Sequence, residues 1–110
     1  MYVDLLTRAL GKGEEKGEEG DRSNDLLLAD LVHSRARLRA TEEDTRIPVA
    51  EALARELSYD TALIRLCESL RVPTGPAYFT HPVRERDRLE HELTVLGVEL
   101  AKLEMQAQPA

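Results

Sequence analysis

A chain of 110 residues with 42% apolar and 33% charged side chains amounts to one globular domain. At this size a domain buries roughly 65% of its unfolded surface, enough to fold without a metal or a disulfide. The formal charge is −6: residues 1–20 carry 3 basic and 5 acidic groups, 21–45 carry 4 and 6, 46–72 carry 4 and 4, and 73–110 carry 4 and 6. No segment is therefore net basic, which argues against nucleic acid and anionic membranes as partners.

Residues 2–10, YVDLLTRAL, set Val3, Leu6 and Leu10 at helical spacing, with Gly11 as the expected stop. A helix this short is marginal alone and needs a domain to hold it. Met1–Leu10 also contains Asp4 and Arg8 and lacks the long apolar run of a secretion signal, so a cytoplasmic setting is expected. Residues 11–22, GKGEEKGEEGDR, hold no apolar side chain and repeat K-G-E-E imperfectly, the pattern of an acidic Gly/Glu-rich flexible linker.

The helical domain proper is expected over 23–105. Ser23 is a good N-cap and Asp25 complements the positive end of the helix it opens. Leu27, Leu28, Leu31, Val32, Arg35 and Leu38 then keep one face through about residue 42. Pro48 opens the next helix in its first turn, with Asp44 or Thr45 capping ahead of it. This helix, about 48–71, has a wide apolar arc from Val49 through Leu53, Leu57, Leu63, Ile64, Leu66 and Leu70, and is expected to be the most buried. Cys67 lies within the arc and reads as a small buried hydrophobe. Being the chain's single cysteine, it excludes an internal disulfide.

VPTGP, residues 72–76, stops that helix. Tyr78 and Phe79 then read as a core plug ahead of the last helix, which Thr80 or His81 caps and Pro82 begins. Leu89, Leu93, Leu96, Leu100 and Leu103 follow at heptad-like spacing. Gly97 interrupts them: the helix stops or kinks at Leu96 with a short second piece beyond, or else it runs to about Met105 with a weak point at Gly97, the stop or kink being the favoured reading. Residues 106–110 form a tail. Strand-like alternation is sustained nowhere. The fold class is thus all-α, a small bundle of three main helices plus a short N-terminal one, with the two long helices as an antiparallel hairpin.

Chemistry-bearing motifs are sparse. His81 and His91 stand four residues from Glu85 and Asp87, but a metal site needs three or four converging ligands and no HExxH or Cys/His cluster occurs, so no metal or cofactor is expected. No Gly-rich elbow surrounds a serine and no phosphate-loop motif is present. Catalysis is not expected.

The stretch EALARELSYDTALIRLCESLRV, residues 51–72, has the spacing of a helix-turn-helix if Ser58 is the turn. The DNA-facing positions would then be Asp60, Thr61, Arg65 and Glu68, two of them acidic, on a second helix that is mostly apolar. A DNA-binding regulator using residues 50–70 is therefore the alternative reading. The leading one is a small interaction or regulatory module that meets a protein partner or a second copy. Its expected interface is Arg84, Arg88, Leu89, Leu93, Leu96 and Leu100, because the leucine seam exceeds what a small monomer needs and arginine favours interfaces. Leu/Ala-rich usage with Arg in place of Lys suggests a GC-rich bacterial genome.

Overall fold

The computed structural model describes residues 2–14, 24–44 and 46–107. In chain order it contains helices α1 (Tyr2–Glu14), α2 (Asn24–Glu43) and α3 (Val49–Ser69), a 3₁₀ turn (Pro76–Thr80), and helices α4 (Pro82–Val95) and α5 (Leu100–Ala107). Among the described residues there is no strand, and the all-α bundle expected from periodicity is the fold.

Helices α2 and α3 form the antiparallel hairpin. The Ser69 hydroxyl at the end of α3 donates to Asn24 Oδ1 at the start of α2. At the other end Arg55 donates to the Arg37 carbonyl and to Thr41 Oγ1, each at 3.2 Å, while pairing with Glu51 at 2.7 Å. Arg55 thereby ties the C-terminal part of α2 to the first turns of α3.

The core is largely aliphatic, with Tyr59 and Phe79 as its aromatic members, and is centred on α3: Ala62, Leu63, Ile64, Leu66 and Cys67 pack with Leu31 and Val32 of α2, Leu89 and Leu93 of α4, and Leu100 of α5. Leu6 anchors α1, with no exposed surface. Cys67 is buried, and burial pushes its thiol up to about 12. The N-terminal part of α3 departs from the expected arc, because Val49 is 85% exposed and Leu53 39%. No element packs over that end of the helix closely enough to use them.

Several boundaries differ from expectation. Helix α1 runs through Gly11 to Glu14, so residues 11–14 belong to a helix and not to a linker. Gly11 does not adopt the left-handed conformation that ends helices, and an exposed helical glycine costs only about 1 kcal/mol. Residues 15–23, with the rest of the linker and the Ser23 cap, lie outside the described residues, as do Thr45 and residues 108–110. Pro48 is the N-cap of α3 and not its first turn; its carbonyl accepts from Ala52 at 2.9 Å. Asp44 accepts instead from the backbone N–H of Arg46 at 3.0 Å, closing the turn ahead of it. At α4 the expected boundary holds, with His81 as N-cap and Pro82 in the first turn, although the His81 side chain makes no capping bond.

Two helix ends share one device. At Gly97 (φ 95°) the chain closes α4: Gly97 N–H donates to Thr94 O at 2.9 Å and Val98 N–H to Leu93 O at 2.8 Å. This is the Schellman pattern, which turns α5 back onto the bundle. At the end of α3, Arg71 N–H donates to Glu68 O at 3.0 Å and Val72 N–H to Cys67 O at 2.8 Å, with Arg71 at φ 66°. Here a side-chain-bearing residue holds a left-handed conformation that glycine adopts without strain.

Candidate functional site

Carboxylates enter the interior at three places, all on the flanks of α4. The first joins α1, α3 and α4. Asp60 has no exposed surface although it sits in the middle of an apolar helix face. Arg86 clamps it with two bonds, Nε to Oδ1 and Nη2 to Oδ2, each 2.7 Å. The Tyr2 hydroxyl donates to Oδ2 at 2.5 Å, and Arg86 also reaches Glu56 at 2.9 Å. Burial pushes the Asp60 carboxyl up while Arg86 pulls it down, leaving it above the ordinary carboxylate value. Burial works against the Arg86 cation, yet bonding to Asp60 holds its pKa above the usual range. Tyr2 is raised by burial and by the neighbouring carboxylate.

The second cluster joins α2, α4 and α5. Glu104, 6% exposed, accepts from Arg35 at 2.6 Å and lies 3.4 Å from Arg39. Arg35 also faces Glu90 at 3.9 Å, and Glu90 accepts from the buried Tyr59 hydroxyl. In the third, Glu85 on α4 accepts from Arg88 at 2.9 and 2.5 Å and from Thr74 Oγ1 at 2.9 Å. Arg88 reaches the Pro73 carbonyl at 2.9 Å and lies over the Tyr78 ring, 5.6 Å from its centre. Each buried carboxylate is thus matched by an arginine, whose fixed fork of donors suits two-point pairing.

These placements revise the expected interface. Leu89 and Leu93 have no exposed surface and Leu100 is 4% exposed, so all three are spent in the core and cannot meet a partner. Leu89 and Leu93 are buried by the packing of α4 itself, and the Gly97 turn brings Leu100 back into the same core. Arg88 is engaged with Glu85, Pro73 and Tyr78. Arg84 and Leu96 are exposed, Leu96 by 55%. The expected plug divides in two, with Phe79 fully buried and Tyr78 51% exposed beneath Arg88.

Helix α3 is continuous through Ser58, so the turn that a helix-turn-helix needs at that residue is not formed. Asp60, Thr61 and Ile64 are buried within the bundle. His33, His81 and His91 are all exposed, and Glu85 is committed to Arg88. Among the described residues no three His, Cys, Asp or Glu side chains converge as a metal site, and no helix is long and apolar enough to cross a membrane.

The surface carries a groove where α2 meets α5. Its volume is about 340 Å³, and Ala36 and Ala40 on one side and Ala101 on the other line it, with Met105, Arg39 and Glu43 at its edges. Met105 is 75% exposed. The groove exists because small side chains occupy both facing helices while Glu104 is drawn inward to Arg35. Alanines at 36, 40 and 101 are visible in the sequence, but their juxtaposition depends on the Gly97 turn.

The structure defines a small α-helical bundle whose interior charges tie one helix to another. Comparison of the chain with protein-family models, with curated proteins and with solved structures finds no match.

Proposed function

We propose that this protein is a small non-catalytic interaction module that pairs with a second copy of itself through the α2–α5 face. The observation that carries the reading is Met105, a large apolar side chain 75% exposed beside a groove lined by Ala36, Ala40 and Ala101. A projection and a recess on one face are complementary under two-fold symmetry, where each copy contributes both. Methionine adapts to irregular recesses. The charges agree with this occupant: the end of α2 carries exposed Glu42 and Glu43, and α5 carries exposed Lys102. Laying α2 of one copy on α5 of the other brings opposite signs together, whereas a partner of a single sign meets like charge on one rim.

The absence of catalysis in this reading rests on the pairing of the interior carboxylates. Asp60, Glu85 and Glu104 are each held by arginine, an arrangement that fixes helices together and keeps the acids from exchanging protons with a substrate. Sedimentation equilibrium over a wide concentration range tests the proposal. The expected result is a mass rising from one chain to two, with Met105→Glu remaining at one chain and keeping its helical circular dichroism. A single-chain mass at every concentration overturns it.

A further inference from the structure

A second groove, about 220 Å³, lies on the other side of the hairpin where α1, α2 and α3 meet, and its character is polar. Asp30 and Ser34 face it from α2, and Ser58, Thr61 and Arg65 from α3. The Thr61 hydroxyl stands out. Its residue is 7% exposed, and its Oγ1 is buried with no hydrogen-bond partner. Threonines inside helices usually donate back to the carbonyl one turn earlier. Thr7, Thr41 and Thr94 do so, at 2.8, 3.1 and 3.0 Å. Thr61 does not, and a buried hydroxyl without a partner is costly to keep.

The charged groups of this groove enter no ion pair among the described residues. Arg35, Arg39, Arg46, Arg55, Arg86 and Arg88 each face a carboxylate. Arg65, like Arg37, Arg71 and Arg84, enters no ion pair among the described residues, and it donates to the Ala9 carbonyl at a long 3.4 Å. Asp30 likewise enters no ion pair among the described residues. The groove therefore offers a guanidinium on α3, a carboxylate on α2 and three hydroxyl-bearing residues associated with it. It is smaller than the ~300–1,000 Å³ of pockets for drug-sized ligands, so its ligand is a small metabolite.

We propose that this groove binds a free α-amino acid, with the ligand carboxylate at Arg65, its ammonium at Asp30, and Thr61 Oγ1 bonded to the ligand. Guanidinium suits a carboxylate through two parallel bonds, and the opposite charges select a zwitterion over an ion of one sign. This site is separate from the α2–α5 face and stands whether or not the chain pairs with itself.

The test is a titration of the full chain, followed by amide ¹H–¹⁵N spectra, with the common amino acids singly and with acetate, inorganic phosphate and ethylamine as single-charge probes. Saturable shifts confined to amides near Asp30, Ser34 and 57–65 are expected with one or more amino acids at up to ~10 mM, and none with the single-charge probes. Thr61→Val, nearly the same shape, is expected to keep the native spectrum and weaken binding at least tenfold; Arg65→Gln is expected to do the same. If no amino acid produces saturable shifts, or acetate, phosphate or ethylamine binds as well, the proposal fails. It also fails if Thr61→Val keeps both fold and affinity.

Discussion

Replacing Asp60 with alanine should be among the most damaging single changes in this protein. The side chain has no exposed surface and accepts three bonds: two from Arg86 at 2.7 Å and one from Tyr2 at 2.5 Å. Its loss leaves the Arg86 guanidinium, 15% exposed, with Glu56 alone at 2.9 Å. Removing one partner of a buried pair costs about 3–5 kcal/mol, because the other charge stays buried without compensation. Glu56 is 32% exposed and keeps part of the pairing, which places Asp60→Ala at the lower end, about 3 kcal/mol. A domain of this size has a total stability of roughly 5–15 kcal/mol. With a urea slope of about 1.5 kcal/mol/M, the unfolding midpoint should fall by about 2 M. Circular dichroism at the helical minimum during urea titration reads this directly. The double change Asp60→Leu with Arg86→Met removes both charges together and is expected to cost less than Asp60→Ala alone. A loss below about 1 kcal/mol for Asp60→Ala refutes the reasoning, since Asp60 would then not be a compensated buried charge.

Further outcomes follow from the helix ends, the core and the thiol. Arg71→Gly should raise stability by about 0.5–1 kcal/mol in the same assay, because Arg71 holds φ 66° at a position glycine occupies without strain. Gly97→Ala should lower it by about 1 kcal/mol; an added Cβ meets no atom within 4 Å, so the cost comes from φ 95° alone. Leu93→Ala, at a fully buried position that joins α4 to the core, should cost about 2–5 kcal/mol, read from the urea midpoint. Burial holds the Cys67 thiol at about 12, against about 8.5 for a free thiol. Between those values the unfolded chain has lost a proton that the native chain keeps, so stability is present below the lower value and falls as pH rises. The slope from this thiol is roughly 1.4 kcal/mol per pH unit. Cys67→Ala should flatten the first part of that slope in urea titrations repeated across alkaline pH.

How far the sequence carries depends on the kind of information each element needs. Helices α2 and α3 were legible because Leu27, Leu31 and Leu38, and then Leu63, Ile64, Leu66 and Leu70, repeat with the helical period. The stop at Gly97 was legible because a glycine followed by an apolar residue is a local signal for the left-handed turn. The end of α1 differs because Gly11 carries the same identity but keeps helical geometry, and an exposed glycine inside a helix costs only about 1 kcal/mol. The leucine seam was misassigned for a different reason. Spacing shows that Leu89, Leu93 and Leu100 share a side, but not that α4 lays that side on the bundle and that the turn at Gly97 returns Leu100 to it. Asp60 carried a readable signal, a carboxylate within an apolar arc, which calls for a buried partner. Its partners, Arg86 and Tyr2, lie 26 and 58 positions away, beyond the reach of any local pattern. The α2–α5 groove is of the same kind, made by alanines that spacing alone does not bring together.

Self-pairing through the α2–α5 face is tested most directly by isotope-filtered nuclear Overhauser spectra on a mixture of labelled and unlabelled chains. The account expects contacts between copies that join the Met105 methyl group to the Ala36, Ala40 or Ala101 methyls. Filtered spectra that show no contact between copies at concentrations where the sample is fully soluble, or contacts confined to another face, contradict it.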